Sequence, residues 1–338
     1  QGASRTMFLP ASMQKIETAE KRRTITPEDH PMFPAETKQM LEKLASSTTD
    51  EYFTSSRGLR LFTRTMTPTD PPRGAILICH GYGDHLRWFL CDTMVKFVEA
   101  GFVVTGLEME GHGWSDGNIA MLDNFELALQ DVFEYLKHMQ KKFSELRWLI
   151  FGESMGGMVA IRASIEAQKQ GWEGEPVHGA ILQAPMCTIA PEMKPSEFMV
   201  GALRVLSHII PSVPMVPSDI SVEKMIRRPD MLAVGKANPL CYVGLPRLAT
   251  ARELYDATLK LDSEMEQMKT PFLVLHGSAD VITNIEGSRA LHARAGCSPE
   301  KKTIKVYEDA WHALTSGEPE PVNGEVWRDI LEWAQANV

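Results

Sequence analysis

The sequence predicts an α/β fold with a parallel sheet covered on both faces by helices, and three observations carry that expectation. Short apolar runs alternate with helical patterns along most of the chain, which is how βαβ units read. One such run, Leu146–Phe151, passes through Gly152-Glu-Ser154-Met-Gly156 into the apolar helical pattern Val159, Ala160, Ile161, Ala163, Ile165. That strand, tight turn and helix form the context in which Gly-x-Ser-x-Gly has chemical meaning. Thirdly, the alternation stops at Pro185 and resumes at Pro271, as it would around an inserted segment.

Taken in order, residues 1–50 are polar, carry the charged cluster Glu20-Lys-Arg-Arg23 and offer one short helix, Ala35 to Ala45. They are read as an N-terminal extension that wraps, frays or serves as a partner-binding arm, with no chemistry assigned. From Glu51 to Thr65 two short strands are expected around a turn at Arg57-Gly58. Pro71-Pro72 then precedes Ala75-Ile-Leu-Ile-Cys79, a continuous apolar run suited to a central strand. The expected elements after it are a helix (Trp88 to Ala100), a strand (Phe102 to Leu107), a helix (Asn124 to Gln140), the strand Leu146 to Phe151, a helix (Ser154 to Gln168) and a strand (Gly179 to Ala184). Past Pro271-Phe-Leu-Val-Leu-His276 come a helix (Glu286 to Ala295), a strand (Thr303 to Tyr307) and a last helix (Val322 to Ala336). The expected core is therefore 51–186 with 270–338, and 187–269 is assigned to a helical cap. In that cap, Ser196 to Ile210 keeps Glu197, Gly201, Arg204 and His208 on one narrow seam and is apolar elsewhere. So wide an apolar arc suits a lid over a greasy pocket, a membrane-touching face or a helix buried between cap and core.

Composition narrows the function classes. A net charge of −9, from 35 basic and 44 acidic residues, argues against nucleic acid and against electrostatic anchoring to acidic lipid. No run of about 18 apolar residues exists, and no apolar stretch near the N-terminus reads as a secretory signal. Five scattered cysteines (79, 91, 187, 241 and 297) without a C-x-x-C pattern read as free thiols in a reducing compartment. Neither a disulfide framework nor a metal site is expected, and the implied location is the cytoplasm, with contact at membrane surfaces.

The chemistry centres on Ser154. A serine hydroxyl is a poor nucleophile until a base takes its proton, and the base must be oriented by a carboxylate. In this architecture acid and histidine follow the serine in that order, at the C-terminal ends of later strands. Asp280 ends Leu275-His-Gly-Ser-Ala-Asp and His312 lies in Glu308-Asp-Ala-Trp-His-Ala, both where required. The expected oxyanion donors are the backbone N–H of Met155 and that of Tyr82, in the loop His80-Gly-Tyr-Gly-Asp-His85. A chance Gly-x-Ser-x-Gly arises about 0.1 times in a chain of this length, and a second one does occur, Gly113-Trp-Ser115-Asp-Gly117. No apolar helix follows it, so Ser115 is read as a turn residue.

These pieces resemble the monoacylglycerol lipase and lysophospholipase branch of the α/β-hydrolases, and the plant-type members that include caffeoylshikimate esterase are similar. The matching stretches are His80-Gly-Tyr-Gly-Asp, Gly111-His-Gly-Trp-Ser-Asp-Gly117, Gly152-Glu-Ser-Met-Gly-Gly157, Ala184-Pro-Met with Met193-Lys-Pro-Ser196, His276-Gly-Ser-Ala-Asp280 and Tyr307 to Ser316, over about residues 51–336. The resemblance implies an eight-stranded, mostly parallel sheet, an inserted helical cap, no cofactor and hydrolysis through an acyl-enzyme. It implies that Asp84 and His85 line the alcohol end of the pocket, where Arg87 and Trp88 would make the rim bulkier.

The expected activity is hydrolysis of long-chain acyl esters, monoacylglycerol first, with lysophospholipid or a phenolic ester such as caffeoylshikimate as the alternative. The expected partner is a lipid or other acyl-ester small molecule, met at a membrane surface. Acyl transfer is disfavoured because His80/Asp84, His112/Asp116 and His276/Asp280 each have one residue too few between them for a His-x₄-Asp signature. A non-catalytic receptor is disfavoured by the intact set of three residues. A dehalogenase or epoxide hydrolase would need a carboxylate where Ser154 stands.

Overall fold

The computed structural model describes residues 11–169, 171–188, 196–216 and 220–338. Among the described residues eight strands run β1 (Thr48–Thr54), β2 (Arg60–Met66), β3 (Gly74–Cys79), β4 (Phe102–Leu107), β5 (Trp148–Glu153), β6 (Val177–Gln183), β7 (Phe272–Gly277) and β8 (Lys302–Tyr307). Their spatial order is β1-β2-β4-β3-β5-β6-β7-β8. The β1–β2 and β2–β4 pairs are antiparallel, and the others are parallel. This is the open, mostly parallel sheet of the α/β-hydrolases. Parallel strands need crossovers, and here helices supply them.

The helices are α1 (Ala11–Gln14), α2 (Ala19–Arg22), α3 (Ala35–Lys43), α4 (Phe89–Glu99), α5 (Phe125–Lys142), α6 (Met155–Glu166), α7 (Glu197–Ile209), α8 (Val222–Met225), α9 (Pro229–Ala237), α10 (Leu248–Glu264), α11 (Ile285–Arg294) and α12 (Val322–Ala336). Two apolar layers sandwich the sheet, and the pleat sorts residues between them. Ala75, Leu77 and Cys79 of β3 join the layer with Met158 and Ile161 of α6 and Leu261 of α10. Ile76 and Ile78 turn to the other, with Phe97 of α4 and Ile330 of α12.

Most boundaries fall within two residues of the sequence expectation, and the departures have causes. Strand β1 starts at Thr48 because its ladder with β2 runs from Thr48↔Met66 to Thr54↔Arg60 around the Arg57-Gly58 turn. Strand β5 extends to Glu153, so the helix begins at Met155 and Ser154 belongs to neither element.

From residue 11 onwards the N-terminal segment packs against the core and the segment between β6 and β7. Met13 and Ile16 pack with Ile119, Ala120, Leu240 and Tyr242, joining strap, core loop and cap in one small apolar cluster. Arg22, fully buried, donates to the carbonyls of Ile16, Glu17, Gly113, Ser115 and Gly117. Burial lowers its pKa to about 10, which leaves it charged at neutral pH. Arg87 and Trp88 are not a rim. Both are buried: Arg87 pairs with Glu28, while Trp88 packs edge-on against His30 and Phe33.

Between β6 and β7 the chain is not uniform. Helix α10 packs on α5 and α6 and puts Ala257 and Leu261 into the sheet's own apolar layer. Helix α7, capped by the Ser196 hydroxyl accepting from Met199 N, points its apolar arc outwards. Phe198 is 85% exposed and Ile209 69%, with Met199 and Val205 also exposed, so the reading of a helix buried between cap and core does not hold. Residues 193–195 of the Met193-Lys-Pro-Ser196 match, and Pro217, lie outside the described residues. Among the described residues no helix is long and apolar enough to cross a membrane.

Candidate active site

Ser154 stands between β5 and α6 with φ 55° and ψ −120°, a conformation that costs energy for any residue with a side chain. The flanking glycines make it possible. A Cβ on Gly152 would collide with the Gly156 carbonyl, and one on Gly156 with the Cys79 carbonyl of the neighbouring strand. The elbow is pinned on both sides, since Ser154 N donates to Gln183 O (3.0 Å) and Met186 N donates to Ser154 O (2.9 Å). The second motif is different in kind. Ser115 is buried, accepts from Phe62 N and donates to Glu108 O, so it is a turn residue locking a loop to β2.

Asp280 follows β7 and His312 follows β8, and the structure brings them together: His312 Nδ1 lies 2.7 Å from Asp280 Oδ2. The same Oδ2 accepts from Thr283 Oγ1 (2.9 Å) and lies 3.3 Å from His276 Nε2, while Oδ1 accepts from the N–H groups of Ile282 and Thr283. Burial alone would raise this carboxyl, but the charge of His312 and the hydrogen bond of His276 hold it well below the usual carboxylate range. It is thus a fixed anion. With Nδ1–H given to Asp280, His312 keeps Nε2 as its acceptor.

Ser154 and His312 line one cavity of about 370 Å³. No hydrogen bond joins them in this structure, and such contacts commonly close only in the substrate complex. The core side of the cavity is polar (Tyr82, Asp84, Glu153 and Gln183), whereas Phe89, Ile220, Val222, Met225, Ile226 and Val243 make an apolar wall. Helix α7 contributes none of the lining. The roof is instead α8, α9 and the loop 238–246. Helix α7 is therefore not a lid over this cavity, because its apolar side faces outwards.

The loop after β3 is held from several directions. Met109 N donates to His80 Nε2 (2.9 Å), Tyr82 Oη donates to Ala120 O (3.1 Å) and Tyr242 N donates to Gly83 O (2.8 Å). Buried Glu108, pushed up to about 7 by burial, accepts from Leu86 N and Trp114 N. Tyr82 thus sits in a rigid loop over the elbow, and the N–H of Met155, first in α6, has no carbonyl one turn behind it.

Asp84 lines the cavity. His85 does not. It is completely buried, and its Nε2 lies 2.8 Å from Asn238 Oδ1, so it touches the cavity wall only through that asparagine. Four contributors were missed in the sequence: Glu153, Gln183, His276 and Thr283. Glu153 carried a signal, a carboxylate ending an apolar strand. Gln183 carried none until register placed it beside Glu153. Among the described residues no three His, Cys, Asp or Glu side chains gather as a metal would require.

Several known proteins are similar to this chain. Caffeoylshikimate esterase of Arabidopsis thaliana is 30% identical over 290 residues, covering 85% of each protein. Human monoglyceride lipase is 29% identical over 292 residues, covering 83% of this chain and 89% of the lipase. The crystal structure of Paleococcus ferrophilus monoacylglycerol lipase superposes with a TM-score of 0.68 at 25% identity, covering 82% of this chain and 99% of that one. Residues 70–320 match the family described as serine aminopeptidase, S33 (Hydrolase_4), and the chain belongs to that family of serine hydrolases.

Proposed function

We propose that this protein hydrolyses carboxylic esters of long-chain acyl groups, monoacylglycerol first among them, through an acyl-enzyme on Ser154. The observation that carries the reading is a serine on a strained elbow sharing one cavity with a histidine whose Nδ1 is 2.7 Å from a buried, anionic aspartate. In this reading His312 Nε2 takes the Ser154 proton as Oγ attacks the acyl carbon, and Asp280 stabilises the imidazolium that forms. The N–H groups of Tyr82 and Met155 receive the oxyanion, each contributing about 3 kcal/mol to the transition state. His312 then protonates the departing alcohol, and a water repeats the sequence to free the fatty acid.

The apolar cavity wall supports an acyl chain, and the names of the human and Arabidopsis relatives supply the two ester types to compare. The outward face of α7 supports contact with a lipid surface, where such a substrate resides. The test is fatty-acid release from monoolein by the full chain against Ser154→Ala, with lysophosphatidylcholine and caffeoylshikimate run in parallel. A loss of at least about 10⁴-fold is expected for the variant. Equal rates for both proteins would end the proposal, and faster turnover of either parallel ester would move it to that substrate.

A further inference from the structure

Beside the nucleophile the cavity holds three polar side chains that the hydrolytic steps do not use. Strands β5 and β6 run parallel with Glu153 opposite Gln183, and Gln183 Nε2 donates to Glu153 Oε2 at 3.4 Å. Gln183 is only 2% exposed, yet its Oε1 has no partner, and neither has Asp84 Oδ1. All three line the cavity with Ser154. Among the described residues neither carboxyl has an ion pair. Lys236, the cation in the lining, is bonded to Glu223 at 2.8 Å.

We infer that Glu153, acting with Asp84 and Gln183, makes the alcohol end of this cavity a hydroxyl-binding, anion-rejecting site. Esters of uncharged alcohols with free hydroxyls enter it, and the same esters carrying a phosphate or carboxylate on the alcohol are refused. This rests on the ester-hydrolase reading. The apolar wall takes the acyl chain, so the polar end is left for the alcohol. Buried polar atoms without partners are costly, and a ligand hydroxyl, donor and acceptor at once, satisfies a carboxyl and an amide oxygen together. Burial raises Glu153, the Asp84 charge raises it further, and burial raises Asp84 as well. Each carboxyl thus resists ionising while the other is charged, and among the described residues no unpaired Lys or Arg lines this end to receive an anion.

The test compares kcat/KM in detergent micelles for 1-oleoylglycerol and 1-oleoylglycerol 3-phosphate, which share the acyl chain and the cleaved bond. Wild type is expected to prefer the neutral ester, and the double variant Glu153→Gln/Asp84→Asn, which leaves neither carboxyl to carry charge, to narrow that ratio about ten-fold or more by relieving like-charge repulsion in a weakly screened site. Labelling with a fluorophosphonate counts intact sites, and Asp84→Asn alone reads the same ratio if the double variant is not labelled. A ratio unchanged within about two-fold, or a wild type without preference, overturns the inference. Turnover of 4-nitrophenyl butyrate, whose leaving group bears neither hydroxyl nor anion, separates the two levels. Should wild type cleave it while the ratio stays fixed, only the acid-pair inference is lost. Should wild type cleave none of the three, the ester-hydrolase reading is lost with it.

Discussion

The N-terminal strap and helix α7 exchange the places their compositions would assign them. The strap is rich in charge, yet Glu17, Arg22 and Thr37 are buried, and Arg22 and Arg23 are spent on the carbonyls of Gly113, Trp114, Ser115 and Gly117 and on the Asp116 carboxylate of the core. Helix α7 is mostly apolar, yet Ser207 is its single buried residue. The difference is one of partners. A buried charge persists where the surroundings offer a matching set of bonds, and an apolar face persists in water only where something else is to cover it. The strap's partners are within the chain. Among the described residues Phe198, Met199, Val205 and Ile209 of α7 stay exposed, which is why a lipid surface is proposed for it.

The comparison breaks most sharply at Arg247. Its Nη2 lies 2.7 Å from Glu17 Oε2, Nη1 donates to Ser212 O and Nε to Ile119 O, with the two ionic side chains 0% and 2% exposed. Removing one partner leaves the other buried and unpaired, at a cost of about 3–5 kcal/mol. Arg247→Ala is therefore expected to lower unfolding stability by that amount in urea titrations. The double variant Glu17→Met/Arg247→Met should recover most of it, since an apolar pair of similar volume strands no charge. A single variant within about 1 kcal/mol of wild type would show that the strap is held by its apolar contacts alone.

For α7 the expected effect is smaller and appears only at an interface. Phe198→Asp with Ile209→Asp removes the two most exposed apolar side chains of the helix. Hydrolysis of monoolein in vesicles should fall about ten-fold, corresponding to about 1.4 kcal/mol of surface binding, with the rate on a dissolved short-chain ester unchanged. Equal losses on both substrates would show that the helix shapes the cavity instead.

What the sequence disclosed follows the same division. Strands, elbow and the order Ser154, Asp280, His312 are local or periodic, so they can be read one residue after another. The fold class, the strand and helix sequence and nearly every boundary came from such patterns. The partners of buried charge are non-local: Arg247 and Glu17 are 230 positions apart, and nothing in either stretch names the other. Register hid Gln183 for the same reason. His85 and Trp88 went astray because proximity to a motif in sequence does not say which way a side chain turns, and both turn inwards. The helix α7 arc was legible as apolar, but periodicity cannot tell a face that is covered from one that is waiting to be.

Acid gives the finest contrast between the two regions. Burial would raise Glu28, but the hydrogen bond from Arg87 and the charge of Arg64 leave it below its ordinary value. Asp116, which binds Arg23 at 2.6 Å and accepts from Arg60 N, is lowered too. A carboxyl depressed in the folded state stabilises it above the unfolded value near 4, and that stability is lost as pH falls through the lower folded value. Both groups bind the strap or the loop it grips, whereas α7 reaches its neighbour α10 through a surface pair. The ion pair of that helix, Arg204 with Asp256, is exposed and worth little. Between about pH 5 and pH 3, hydrogen exchange corrected for intrinsic rates should thus lose protection across 13–30 before 197–209. The reverse order would mean that the strap is held by packing and its charges are incidental to that hold.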